Sequence, residues 1–521
     1  MSGPRKAYTI LPLPFAYAGD FEELRLQKNP RFRLSIKSNL RKAHTQSGGC
    51  RLCIQKMRLH CCVYEKSPCA QSPSEDDPGD GKENEMIQSC QAFRNELGGE
   101  RIRHVALNRQ DSLPSMPVPA ADYRFETWHR EVTAAESGVL ENLSNVYFGG
   151  RLCANRQSQI VIEHADPGAF YYRHCFAGKA HFNYFGIDET LGPVAVSVVR
   201  DKIDEVEAKE AGLSSSRSHR IIVRLSDLRT FRATIHDDAL HEVHTEASGG
   251  RLSRIPLREL LDLIAPQVSV GCLRFGLPEP RTEELLLKLD EQPVYTRYKV
   301  GVLYCKSGQR TEEEMYNNES AGPAFEEFLE LLGQRVRLKG FDGYKGGLDT
   351  KGDTTGTHGI YTTFQQHQIM FHVSTFLPFT ASNKQQLSRK RHIGNDMVTV
   401  IFQEPGAKSF SPHTVRSHFQ HVFIIVRAND PCSAKGVTYS VAIARAKDVP
   451  AFGPPLPPSA TFHKCQEFRD FLLTKIINGE NAVHKSDKFA AMAARTRKEF
   501  LKDLAENHVT SQSADGSSRL T

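Results

Sequence analysis

Asn395 stands near the end of the run Arg389-Lys390-Arg391-His392-Ile393-Gly394-Asn395-Asp396, where three successive cations and a histidine approach one neutral carboxamide. The cations suit an anionic, phosphate-bearing partner. A carboxamide is no acid, base or nucleophile at neutral pH. It accepts and donates hydrogen bonds at once, so the chemistry open to it is the orientation of a water molecule. His392 precedes it by three residues, a spacing that puts both on one face of a helical turn and lets the imidazole buttress the amide. Gly394, with no Cβ, permits a close approach or a left-handed cap. Composition alone also fits a solvated helix terminus whose cations suit the dipole.

Such residues need a helix, and a sheet beneath it. Residues 384–395 have the pattern of a helix, and Met397-Val398-Thr399-Val400-Ile401-Phe402 that of a buried strand. Further strands are predicted at 298–304, 368–374 and 421–426. Thr311-Glu312-Glu313-Glu314 opens a helix with a capping box, and 324–332 is an amphipathic helix stopped by Gly333. Upstream, 158–162, 194–199 and 221–223 are strand-like, 255–264 is helical, and 202–217 is a charged, Ser-rich exposed loop. The last element, 468 to about 506, has the pattern of one long helix. The alternation predicts an α/β (α+β) fold built from two mixed sheet-and-helix modules.

Other constellations carry less chemistry. Residues 340–356 are rich in glycine, yet G-x-x-x-x-G-K-[ST] occurs nowhere, so no P-loop nucleotide site is expected. His358 and His372 fall near the same region but lack carboxylates at ligand spacing, and they are expected to be core or loop histidines; no metal or cofactor is assigned. Cys50-x-x-Cys53 with His60-Cys61-Cys62 and Cys69 is the one zinc-like pattern, short for a finger or ribbon. Phe452-Gly453-Pro454-Pro455-Leu456-Pro457-Pro458 has the form of a polyproline ligand, or of punctuation between strand and helix; the second is preferred.

The 521 residues, 39% apolar and 25% charged, fit a soluble chain of two to four domains. No run of about 18 apolar residues marks a transmembrane helix, and two prolines spoil the N-terminal apolar patch as a signal peptide. With scattered cysteines read as thiols, a cytoplasmic location is expected. Residues 1–65 hold twelve Lys/Arg against four Asp/Glu, a basic, Cys-containing and flexible leader able to touch a membrane surface weakly. Too few aromatics are interleaved there for nucleic-acid binding, which is not expected. A disordered linker is expected over 66–122, with order resuming near Tyr123, and a disordered tail over 508–521.

Taken together, Gly340 to Asp349, Asp353 to His358, Ile369 to Ser374 and Gln385 to Glu404 resemble the RapGAP family in order and spacing. Arg416 to Val426, Phe452 to Pro455 and His484 to Phe489 resemble its signal-induced proliferation-associated and spine-associated RapGAP branch. The likeness runs over roughly 125–510 and leaves 1–122 unmatched. It implies a dimerisation-type α/β domain over 123–287 and a G-domain-like Rap-GAP domain over 288–507 with a C-terminal helix. It also implies a GTPase activator rather than an enzyme that holds its own nucleotide, acting on a GTP-bound Rap-type small GTPase, as a homodimer. In that family an asparagine thumb supplied in trans places the attacking water. Asn395 matches the thumb and His392 its supporting histidine. Arg389, Lys390 and Arg391 match the GTPase-binding neighbourhood, and Asp396 is expected to cap or tether the helix, with a contact to the GTPase as its second possible role. A GAP for a Rheb- or Ral-type GTPase, or a scaffold whose domain only binds partners, remain the alternatives. Relatives in this branch continue into a PDZ domain and a coiled coil.

Overall fold

The computed structural model describes residues 80–99, 139–140, 161–166, 168–202, 217–240, 255–434 and 436–514. They form two compact units, each drawn from separated stretches of chain. Strand β1 (Phe93–Glu96) belongs to a nine-stranded sheet in one unit, and β2 (Val139–Leu140) to a seven-stranded sheet in the other.

The seven-stranded sheet is antiparallel. Across it lie β16 (Val509–Ser513), β7 (Leu273–Gly276), β3 (Phe182–Asp188), β4 (Gly192–Lys202), β5 (Arg217–Arg224), β6 (Thr230–His236) and then β2. The middle of β4, Val194 to Val199, reads as a nearly continuous apolar run because both faces are covered. Val194, Val196 and Val198 point to the side covered by α2 (Leu257–Ile264). Ala195 and Val199 point to the other, beneath α1 (Tyr171–Cys175), α3 (Pro280–Asp290) and α8 (Asp487–Asn507). The period of two along β4 decides which side chain meets which helix. Helix α7 (Gln466–Val483) belongs to the same unit.

The nine-stranded sheet has a parallel centre, with β8 (Arg297–Cys305), β12 (Val398–Gln403) and β13 (Val422–Asn429) running together. Every residue of β12 is buried, as a central strand covered on both faces requires. Antiparallel strands flank the centre. β14 (Thr438–Ala446) pairs with β13, β1 and the short β15 (Thr461–His463). On the other side β8 neighbours β11 (His367–Val373), followed by β10 (His358–Phe364) and the exposed edge β9 (Gln334–Arg337). Helix α4 (Glu312–Tyr316) starts with the expected capping box: the Thr311 hydroxyl accepts from Glu314 N and the Glu314 carboxylate from Thr311 N. Helix α5 (Pro323–Leu332) ends at Gly333, whose backbone is extended rather than left-handed. A Cβ there would lie 2.6 Å from the Tyr361 carbonyl oxygen, so the glycine serves close packing. Helix α6 (Leu387–Ile393) is shorter than the predicted 384–395.

Four expectations are corrected. The linker of 66–122 is not wholly without order: Met86, Ile87 and Phe93 pack into the core of the nine-stranded unit and β1 joins its edge. These few apolar residues sit between polar, breaker-rich stretches that dominate the composition. The tail of 508–521 is not wholly disordered, since β16 pairs with β7; an edge strand of sequence Val-Thr-Ser-Gln-Ser carries no apolar signal. The long C-terminal helix is two, broken at 484–486, and both belong to the unit with the seven-stranded sheet rather than to a second module over 288–507. Val161 and Ile162 form no strand. The Val161 carbonyl and both backbone groups of Glu163 are bound instead by the side chains of Asn478 and Asn481 on α7. The basic leader, its zinc-like pattern, the loop body over 203–216 and the restart near Tyr123 lie outside the described residues.

Candidate functional site

Helix α6 lies against the nine-stranded sheet where β8 has no side chain. A Cβ on Gly301 would come 2.6 Å from the Ile393 methyl, so the missing carbon lets the helix approach. Arg389 and Ile393, four residues apart, form the buried face, while Leu387, Ser388 and Arg391 are exposed. Gln386 enters the helix in the left-handed region (φ 46), and its carboxamide bonds both the N–H and the carbonyl of Thr380. At the other end Gly394 takes a right-handed conformation, and a Cβ there would meet the Lys390 carbonyl at 2.6 Å. Of the two roles open to that glycine, the close approach is the one used.

The three cations do different things. Arg389 is 1% exposed. Its guanidinium donates to the carbonyls of Leu377, Tyr316 and Asn318 and lies 5.0 Å from the centre of the Phe379 ring. Burial draws its pKa down to about 10. It therefore ties the α6 helix to the loops around it and is not a docking cation, a correction to the expectation. Lys390 is half-buried and 3.4 Å from Glu312, whose pKa is raised by burial despite the lysine. Of the three, only Arg391 is exposed.

Asn395 follows the helix and is half-buried. Its amide N–H donates to the His392 carbonyl, and its side-chain Nδ2 donates to the Arg391 carbonyl at 2.7 Å. The carboxamide thus folds back on the helix end. Its own carbonyl accepts from Lys299 Nζ at 3.1 Å, and the same ammonium stands 3.7 Å from Asp396 Oδ1. Asp396 is completely buried, with Oδ2 2.7 Å from His372 Nδ1, while His372 Nε2 faces the Gly346 carbonyl at 2.9 Å. Its carboxylate is thus a structural tether, the first of the two roles expected for it, and not the surface contact for a GTPase that was the second. Ser417 donates to the Gly394 carbonyl, fixing the peptide from another side. The His392 ring meets the His372 ring edge to face at 5.5 Å, and burial, then the neighbouring His372, push its pKa down to about 4. At neutral pH it is an uncharged spacer rather than an acid.

Lys299 and His372 are the residues that sequence reasoning passed over as site members. Lys299 did leave a signal, a lysine inside the otherwise apolar Tyr298 to Tyr304 strand. His358 does not join His372: it is exposed and bonded to its neighbour Thr357. In the proline run Phe452, Gly453 and Pro454 are buried, and their carbonyls accept from Lys475 and Asn478 of α7, as punctuation requires. Among the described residues no cluster of three or more His, Cys, Asp or Glu is placed to hold a metal, and no helix is long and apolar enough to cross a membrane.

Comparison with known proteins places the chain in a family. Residues 315–498 match the Rap/ran-GAP family and residues 168–249 the Rap/Ran-GAP protein dimerization domain, so the chain is a protein of the class that joins these two domains. It is 52% identical over 441 residues to human signal-induced proliferation-associated 1-like protein 2, covering 85% of this chain and 25% of that protein. With mouse signal-induced proliferation-associated 1-like protein 1 it shares 53% over 445 residues, covering 85% and 24%. The chain belongs to the RapGAP family, in its signal-induced proliferation-associated branch, and spans about a quarter of the length of these relatives. A solved structure of the TSC2 GAP domain is 27% identical with a TM-score of 0.32, covering 38% of this chain and 99% of that one.

Proposed function

We propose that this chain stimulates GTP hydrolysis on a GTP-bound Rap-type small GTPase, with Asn395 entering the partner's nucleotide site to orient the attacking water. Phosphoryl transfer to water needs a placed nucleophile more than it needs covalent help. The observation that carries the reading is a half-buried carboxamide whose backbone is clamped by Lys299 while its side chain holds one backbone contact. Releasing that contact costs about 1 kcal/mol, a small toll for a group that must swing outward. Its gain is positional, because it adds no charge.

In this reading Arg391 is the principal docking cation, with Lys390 beside it, and both act on encounter and orientation. His392, neutral and wedged against His372, supports the thumb by filling space. The chain acts as an activator whose partner holds the nucleotide, works in the cytoplasm, and pairs with a second copy through the dimerisation domain.

A single-turnover GTPase assay with Rap, Ral and Rheb tests this. Rap should respond most strongly, and Asn395→Ala should remove the response. Full stimulation by Asn395→Ala would refute the thumb. A response from Ral or Rheb alone would move the substrate, and no response at all would leave a binding scaffold. His392→Ala should lower the rate while GTPase binding persists.

A further inference from the structure

We propose that His372 is held as a doubly protonated imidazolium and is a positioning residue that joins the glycine-rich loop to the peptide carrying Asn395. Both of its ring nitrogens face acceptors: Nδ1 the Asp396 carboxylate at 2.7 Å, Nε2 the Gly346 carbonyl at 2.9 Å. A neutral imidazole has one N–H and one lone pair, so in either tautomer one acceptor would confront a lone pair. Two donors are needed, and the ring is 1% exposed, so water cannot relieve the mismatch. Moving one proton onto Asp396 would also satisfy the pair, but Lys299 Nζ, 3.7 Å from the other carboxylate oxygen, favours the ionised acid.

The consequence is a charge triad of Lys299, Asp396 and His372, supplied by β8, the segment after α6 and β11. The carboxylate is gripped by a cation on each side, and one of these cations also holds the Asn395 carbonyl. Strands β8 and β11 thereby fix the height of the thumb, and His372 transmits the position of the Gly346 loop to it. The other titratable groups facing the triad are His392 on α6, with Arg391 behind it, and Tyr316 on α4. His392, buried and beside His372, stays neutral, so one of the two imidazoles supports by charge and the other by shape. The assignment of His372 as a positioning residue for hydrolysis rests on the function proposed above; its protonation state does not.

The two parts are tested separately. In the full chain labelled with ¹⁵N-histidine, both ring nitrogens of His372 should show N–H character at pH 7. A single pyridine-like nitrogen would overturn the proposal whatever the GTPase does. In single-turnover hydrolysis, His372→Gln keeps a donor near the Nε2 position and loses the Asp396 bond, and should lower the maximal rate by roughly 10²-fold with the half-saturating concentration little changed. His372→Asn keeps a donor near Nδ1 and should recover most of that loss. Equal losses in both variants, tracking equal losses in thermal stability and affinity, would reduce His372 to a structural residue.

Discussion

Buried charge serves opposite ends in the two units. In the seven-stranded unit, Arg224 is fully buried and grips Asp290 of α3 with two bonds of 2.7 Å, and its guanidinium also reaches Ser197. Arg497 of α8 donates to Leu225 and Thr230 in the same way. These charges fasten helices to a sheet and leave nothing exposed. In the nine-stranded unit, Lys299, Asp396 and His372 end on the peptide of Asn395, whose half-buried side chain makes a single bond back to the Arg391 carbonyl. The first arrangement spends its bonds on the core itself, the second on holding one uncharged group still.

That contrast can be broken by substitution. Asp290→Ala strands the Arg224 charge and should destabilise the chain by about 3–5 kcal/mol in denaturant unfolding. Asn395→Ala should lower stability by no more than about 1 kcal/mol while lowering stimulated hydrolysis by roughly 10²–10³-fold. If Asn395→Ala unfolds as readily as Asp290→Ala, the division between the units fails. The cations of α6 refine the point. Arg389→Leu leaves three carbonyls without their donor and should cost about 1–3 kcal/mol of stability. Arg391→Glu should leave stability nearly unchanged, slow association with the GTPase, and weaken its dependence on salt.

A further effect is on pH. His392 in one unit and His484 in the other both have pKa values pushed down to about 4, the first by burial together with His372, the second by burial alone. Each is neutral in the folded chain but protonates near 6.5 when unfolded. Between about pH 6.5 and 4 the unfolded chain therefore binds more protons, and stability falls as pH falls, by up to about 3 kcal/mol per histidine. Thermal melts from pH 7 to 4.5 should show this slope, and His484→Phe should reduce it. In an NMR titration, His372→Gln should raise the pKa of His392 and leave that of His484 where it is.

Much of the architecture was legible in the sequence because it is written in periodicity. The β4, β8, β12 and β13 strands and the α2, α4 and α5 helices lie within a few residues of their predicted places. Order at β1 and β16 was not legible, since a four-residue strand and a polar edge strand are defined by their partners rather than by their own pattern. At the site, the helix and its asparagine could be read, but the roles of its neighbours could not. Arg389, Lys390 and Arg391 are chemically similar and adjacent, and only their different angles about α6 separate an anchor from a half-tied lysine and a free guanidinium. His372 and Lys299 are distant in sequence from Asn395, and the sheet alone brings them under it.

Neither unit is a continuous length of chain, and this bears on how the molecule is made. The nine-stranded sheet needs β1 at its edge, contributed from residues 93–96, while its centre begins at β8 some two hundred residues later. The seven-stranded sheet has most of its strands by residue 276, but its edge β16 and the covering helix α8 come only at the C-terminal end of the described chain. During synthesis the early strands of each sheet must wait, with apolar faces uncovered, for partners not yet translated, and such long-range pairing is slow and prone to aggregation. Cutting the chain between residues 287 and 288, the border that its sequence invites, would therefore release two pieces that each lack a strand of their own sheet.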